Sequence, residues 1–207
     1  MWLRPCSQQE RNGFLQCASA RRRSGNPPAP REIEHWREEA RNEIVEEWSA
    51  CLMEPSAGHR TVEALQPCLK EWLERRGGPL TYRMVQVLTG HGCFGRYLHR
   101  IGRERTAACH HCGAGIEDTA EHTLEVCTAW EPHRATLRAA IESDLSLPAV
   151  VKAIVGSDTG YDAFKAYCEA VMLEKETAER EREEDPLADP ARRRRMGRRR
   201  RAFARRP

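Results

Sequence analysis

The sequence predicts a mainly α-helical fold: a small helical domain with an embedded Cys-Cys-His-Cys zinc knuckle and disordered basic ends. Three observations predict it. Apolar residues recur at three- and four-residue spacing through most of 32–173. No alternating apolar–polar run exceeds about four residues, so no sheet is expected. Cysteines and histidines gather between 109 and 127 in a polar, glycine-containing stretch, where a metal rather than a core would organise the backbone. With 40% hydrophobic and 31% charged residues, the 207-residue chain can bury a core, but not along its whole length.

Residues 1–31 read as a disordered basic segment. Arg21-Arg22-Arg23 is followed by Ser24, Gly25, Asn26, Pro27, Pro28 and Pro30, which support neither helix nor strand. The helical region spans 32–104. Ile33, Trp36, Ala40, Ile44, Trp48 and Leu52 stripe its first helix, which Pro55 and Gly58 close. A second helix starts near Pro67, with Leu69, Trp72 and Leu73 as its apolar face and Gly77-Gly78 as its stop. Thr81 caps a third, whose packing residues are Tyr82, Met84, Val85 and Leu88. It ends at Gly90-His91-Gly92, where His91 is suited to capping through a backbone carbonyl. A short fourth helix runs from Phe94 to Ile101.

The knuckle occupies 105–130, with Asp118 or Thr119 capping a helix through Cys127. The C-terminal helices fill 131–183. One covers Trp130 to Asp144 and another Pro148 to Val155. The last is striped by Tyr161, Phe164, Cys168, Val171 and Met172 and dissolves into Glu/Arg repeats after Leu173. Trp36, Trp48, Trp72 and Trp130 are expected in the core. Residues 184–207 read as a disordered Arg-rich tail, with ten Arg against Asp189 from 186 onward.

Charge is segregated. Residues 1–31 carry six Arg against Glu10, whereas 32–60 carry eight Glu against three Arg. A basic end on a balanced body suits an anionic partner, and the tail also has the composition of a nuclear localisation signal. No apolar run approaches ~18 residues, so no membrane span is expected. The N-terminus has no secretory apolar stretch, so a nuclear or cytoplasmic location is expected rather than secretion. Nine cysteines without such a signal point to metal binding before a disulfide scaffold.

Cys109, Cys112, His122 and Cys127 form the pattern C-x2-C-x9-H-x4-C. Zinc takes four tetrahedral sulfur and nitrogen ligands in closed structural sites, so these four are the expected ligands and zinc the expected cofactor. His110 and His111 lie inside the cysteine pair and compete as ligands. Cys6, Cys17, Cys51, Cys68, Cys93 and Cys168 read as small apolar fillers or bystanders. Glu121 precedes His122, but no His-x-Glu with a following Pro-Cys-x-x-Cys accompanies it. Four protein ligands close the site, so catalytic zinc chemistry is not expected.

The stretches TGHGCFGRYLHRIG (89–102) and EDTAEHTLEVC (117–127), with the cysteine pair between them, resemble a block in non-LTR retrotransposon polyproteins. It is the block after the reverse transcriptase domain, and the stretch resembles that of the type-1 elements that insert into arthropod ribosomal DNA. The resemblance covers roughly 61–145. It implies the same four zinc ligands, and a parent that is an RNA-directed DNA polymerase with an endonuclease. Thr128 stands where that family has proline after the last zinc cysteine, and the Arg tail has no counterpart in it. A polymerase needs paired aspartates for two magnesium ions, and this chain contains no Asp-Asp. A nuclease needs carboxylates on a sheet. The chain therefore reads as a fragment or remnant of such a polyprotein, without enzymatic activity of its own.

Arg96, His99, Arg100, Arg103 and Arg105 lead into the knuckle, opposed only by Glu104. On a helix, Arg96, Arg100 and Arg103 fall on one stripe. Phe94 and Tyr97 are placed to stack on an unpaired base. The alternative is a solvated helix face with Tyr97 packed inward. Expected partners are RNA or DNA, single-stranded or structured, with no membrane and no small-molecule substrate. The competing reading is a zinc-stapled protein-interaction module that uses the acidic 32–60 segment.

Overall fold

A computed structural model describes residues 29–75, 77–188 and 192. The disorder expected for residues 1–28 and for most of the Arg tail falls outside them. The regular secondary structure of the described residues is helical, apart from one isolated antiparallel bridge between Ala108 and Glu117. No helix among them is long and apolar enough to cross a membrane.

The chain divides into two compact units, with the boundary after Trp48. The first is represented by helix α1, Pro30–Cys51. Pro30 suits the first turn because it has no N–H to leave unpaired, and Glu32 accepts from Ala29 N at 2.9 Å. The helix has the expected length and apolar spacing but buries none of its residues. Trp48 is 48% exposed, which corrects the expectation of a core tryptophan.

The second unit holds α2 (His59–Leu65), α3 (Leu69–Glu74), α4 (Tyr82–Thr89), α5 (Gly95–Arg100), α6 (Glu131–Ile141), α7 (Leu147–Gly156) and α8 (Asp158–Glu184). The sequence reading missed α2, which begins just after Gly58 and is separated from α3 by a single tight turn at Gln66–Cys68. At seven residues α2 is too short to show a periodic stripe, and tertiary contact with α7 holds it. Thr81 caps α4 as expected, its hydroxyl accepting from Met84 N at 3.3 Å. However, the buried face of α4 is Met84, Gln86, Val87 and Leu88, and Tyr82 and Val85 face out. The apolar stripe alone did not say which of two adjacent edges would be covered.

α8 organises the unit by packing against α4, α6 and α7. It does not dissolve after Leu173 but continues to Glu184 and buries Lys175 and Glu179 along the way. Charged residues were read as the end of the packed helix, whereas here they are partnered inside. Arg83 on α4 clamps α8 from outside through Glu169 (2.7 Å) and Glu176 (2.8 Å), and these bonds raise its pKa. A continuous core includes Met84, Phe94, Leu124, Trp130, Leu137, Val151, Phe164 and Met172. Cys109 and Cys127 belong to the same cluster, so the 107–127 segment is built on the core. Trp72 and Trp130 are buried as expected.

Candidate metal centre

Two local structures bring the four predicted ligands together. The first is a narrow turn over 107–118. Asp118 N donates to Ala107 O and Cys109 N donates to Ile116 O, both at 2.8 Å, which ties the two arms of the turn. Cys109 and Cys112 sit at its near end. The second is a wide helical turn, His122–Val126, in which Cys127 N donates to His122 O at 2.7 Å, five residues back. A regular α-helix advances about 100° per residue and would swing residue 127 away from residue 122. The wider turn brings both side chains to one side. Such π-turns are rare and concentrate at functional sites. The sequence reading expected an ordinary helix running through Cys127 at this point. Thr119 supplies the cap, its hydroxyl accepting from His122 N at 3.0 Å.

The donor atoms of Cys109, Cys112, His122 and Cys127 all lie within 4.8 Å of one another. Cys109 Sγ and Cys127 Sγ are 3.9 Å apart, and Cys112 Sγ is 3.4 Å from His122 Nε2. A tetrahedral zinc with ordinary bond lengths needs edges of about 3.8 Å between sulfurs and about 3.6 Å between sulfur and nitrogen. The donor set therefore fits a metal ion. Nδ1 of His122 is buried without a hydrogen-bond partner among the described residues, so Nε2 is the nitrogen aimed at the site. Burial lowers the His122 pKa, which keeps the ring neutral and its lone pair available. Burial pushes the Cys127 thiol up to about 12, so an incoming cation must displace its proton. Cys112 is shifted down, chiefly by the Ala114 backbone hydrogen bond.

His110 and His111 stand outside the cluster. His110 Nε2 lies 3.2 Å from Glu104 Oε1. His111 stacks at a tilt on Trp130, with ring centroids 4.9 Å apart, and burial lowers its pKa to about 4. Of the bystander cysteines, Cys51 is exposed, Cys68 and Cys93 are half-buried and Cys168 is buried. Cys6 and Cys17 fall outside the described residues.

The residues that hold the 107–127 segment in place were not legible in advance. Asp118 Oδ2 accepts from Gly95 N at 2.9 Å, and its Oδ1 accepts from Lys175 Nζ at 2.7 Å and from Thr123 Oγ1 at 3.3 Å. Lys175 is fully buried, with Phe94 and Trp130 rings 5.1 and 6.0 Å from its ammonium. Gly95 is required for this approach, because a Cβ there would stand 2.8 Å from Ala107 O and 3.1 Å from Asp118 Cβ. Thr123 O, in the wide turn, accepts from Tyr167 OH at 2.8 Å and from the buried Arg134 at 3.2 Å. The available signal was that Asp118 and Gly95 lie inside the two motif stretches. Nothing marked Lys175 within its Glu/Arg run.

The basic stripe is only partly assembled. Arg96 and Arg100 lie exposed on α5, with Arg96 loosely paired to Glu117 at 3.7 Å. Tyr97 is half-buried, with His91 edge-on at 4.8 Å and the Arg100 guanidinium over its ring at 5.1 Å. His91 thus packs on Tyr97, and Gly90 N caps α4 by donating to Gln86 O at 2.8 Å. Arg105 is exposed on the loop leading to Cys109. Arg103 leaves the stripe: α5 ends at Arg100, Gly102 turns the chain at φ 70°, and Arg103 pairs with Glu183. Phe94 is fully buried and is not available for base stacking. Arg192, expected in a solvated run, is buried against Glu104 and Glu179.

A helical domain that carries a closed Cys3His site is the class of protein these features define. Part of the chain is similar to the Retrovirus-related Pol polyprotein from type-1 retrotransposable element R1 4 of Nasonia vitripennis, with 35% identity over 82 residues. The match covers 40% of this chain and 20% of that protein, so the chain spans a fifth of its relative's length. This supports a retrotransposon-derived region. No protein-family profile matches the chain, and no solved structure matches it.

Proposed function

We propose that this chain is a zinc-binding, nucleic-acid-binding module derived from the region after the reverse transcriptase domain of a non-LTR retrotransposon polyprotein, where it holds RNA template or DNA target. The observation that carries the reading is the Cys3His cluster, whose donor atoms lie within 4.8 Å of one another. Three thiolates and an imidazole favour zinc over harder cations. A bound zinc supplies four coordinate bonds that fix the 107–127 backbone. The protein's own part is to present Arg96 and Arg100 beside that fixed loop, with Arg105 next to the first ligand pair. Arginine binds phosphate through a rigid fork of donors, and Tyr97, half-buried, is the aromatic residue left beside them for an unpaired base to stack on. Arg103 and Phe94 drop out of the contact set because both are committed inside the fold. Polymerase activity is not proposed for these residues, which contain no Asp-Asp pair.

The test is metal analysis followed by filter binding of the metal-loaded chain to single-stranded RNA, single-stranded DNA and duplex at two salt concentrations. One zinc per chain and salt-dependent binding are expected. Arg96→Ala with Arg100→Ala should reduce the single-strand salt slope by about 1.4, at roughly 0.7 per phosphate contact. Unchanged affinity and slope in that variant would make α5 a solvated face and remove the nucleic-acid reading.

A further inference from the structure

We propose that Arg192 latches the start of the Arg tail onto the 107–127 segment, and that the latch and the metal centre stabilise each other. The coupling rests on the Cys3His reading of that centre, whereas the seat of Arg192 is independent of it and of nucleic-acid binding. α8 ends at Glu184, because Pro186 disfavours helical backbone at Asp185, whose ψ is 125°. The Asp185 carboxylate then accepts from Leu187 N at 2.7 Å, and its carbonyl accepts from Ala188 N at 2.9 Å. That is a tight turn, and beyond it Arg192 meets Glu179, a residue 13 positions earlier on α8.

Two carboxylates form the seat. Arg192 Nη2 pairs with Glu104 Oε1, and Arg192 Nη1 donates to Glu179 Oε2 at 3.3 Å. The side chains of Arg192, Glu104 and Glu179 are 8%, 7% and 7% exposed. Carboxylates buried to that extent need a cation, and a guanidinium can give each of two carboxylates its own nitrogen from one rigid fork. Arg182 also donates to Glu179 Oε2 at 2.9 Å, and Arg103 pairs with Glu183. The seat is therefore a network that joins the end of α8 to residues 103 and 104, rather than one exposed pair of little worth. Both of its walls lead to the metal centre. Glu104 Oε1 also lies 3.2 Å from Nε2 of His110, the neighbour of Cys109. Glu179 stands about one helical turn beyond Lys175, which holds Asp118 at 2.7 Å. Without Arg192, Glu104 is relieved most cheaply by moving into water, and the chain leading to Cys109 moves with it. A coupling of this kind is reciprocal: what weakens the latch weakens metal binding, and the reverse.

The experiment uses the full chain loaded with zinc, as wild type and as Arg192→Gln, Glu104→Gln, the two combined, and Arg192→Lys. Arg180→Gln, at an exposed position of α8, is the control for lost charge. Competition with a chelator of known affinity should show zinc held about fivefold or more weaker by Arg192→Gln and by Glu104→Gln. Arg192→Lys keeps the charge but not the fork and should fall between, and Arg180→Gln should match the wild type. The combined variant should lose less than the product of the two single losses, because each single change removes the same pair. In Arg192→Gln, amide exchange should rise over 103–112 and 179–184 and stay unchanged in α6, which separates a released latch from general unfolding. Unchanged zinc affinity in Arg192→Gln, or exchange that rises in α6 as much as in 103–112, would overturn the proposal and leave the metal centre standing. A wild type that takes up no zinc would overturn the metal reading and the coupling with it. The latch is then decided by exchange in the metal-free chain: a rise over 103–112 in Arg192→Gln upholds it, and no rise overturns it.

Discussion

The two longest helices have similar polarity and opposite fates. α1 and α8 are both rich in Glu and Arg, both carry aromatic residues at helical spacing, and both look amphipathic in sequence. α8 buries nine of its 27 residues, including Lys175 and Glu179, and α1 buries none of its 22. The difference lies in what each charged residue meets. Lys175 finds the Asp118 carboxylate at 2.7 Å, and Arg83, from α4, answers Glu169 and Glu176. On α1 the ion pair found among the described residues is that of His35 with Glu39, at 3.2 Å on the helix surface. An amphipathic pattern in the sequence thus does not by itself say whether a helix will be packed.

The largest expected effect sharpens the contrast by removing the metal. Cys127→Ala should take metal content from one ion per chain to none and raise amide exchange across 107–130 to that of an unfolded loop. Structural zinc sites contribute on the order of 10 kcal/mol to folding. Exchange within 30–48 should not change. A metal-free loop that stays protected would show that the Asp118 network holds the knuckle without an ion.

Next in size is Lys175→Met. It leaves the Asp118 carboxylate buried without its counter-charge, and losing one partner of a buried pair costs about 3–5 kcal/mol. Denaturant unfolding of the metal-loaded chain measures it. A loss below about 1 kcal/mol, the size expected of an exposed pair, would mean that solvent reaches the pair and that α8 is less different from α1 than its burial states.

The smallest expected effect falls on α1. Ile44→Ala with Trp48→Ala should shift the unfolding free energy by no more than about 0.5 kcal/mol, as surface substitutions do. The same truncations in a packed helix cost several times more. A loss of about 2 kcal/mol or more would erase the comparison, because α1 would then be a packed helix.

The clustering of the four donors was legible because metal chemistry restricts residue type and spacing so tightly. The positions of Cys109, Cys112, His122 and Cys127 select one another before any fold is known. The cap at Thr81 and the apolar face of the last helix were legible for the same kind of reason: each is satisfied within a few neighbouring residues. What escaped was anything that needed a distant partner. α2 is too short to show its own period, and Arg103 joins a helical stripe only if the helix outlasts Gly102, which it does not.

The sequence by itself determined the helical class, the apolar spacing of α1 and the four donors of the candidate metal centre, whereas Pro30, read as outside the helix, opens it. These follow from local periodicity and coordination chemistry. Only the tertiary structure decided that the wide turn at His122–Val126 would replace an ordinary helical turn and that Phe94 would be buried under Lys175. It alone decided that Asp118 would lock Gly95, Thr123 and Lys175 together. Those choices depend on pairing groups up to 57 residues apart. A buried charge is tolerated only where such a partner exists, and no local pattern encodes where the partner will be.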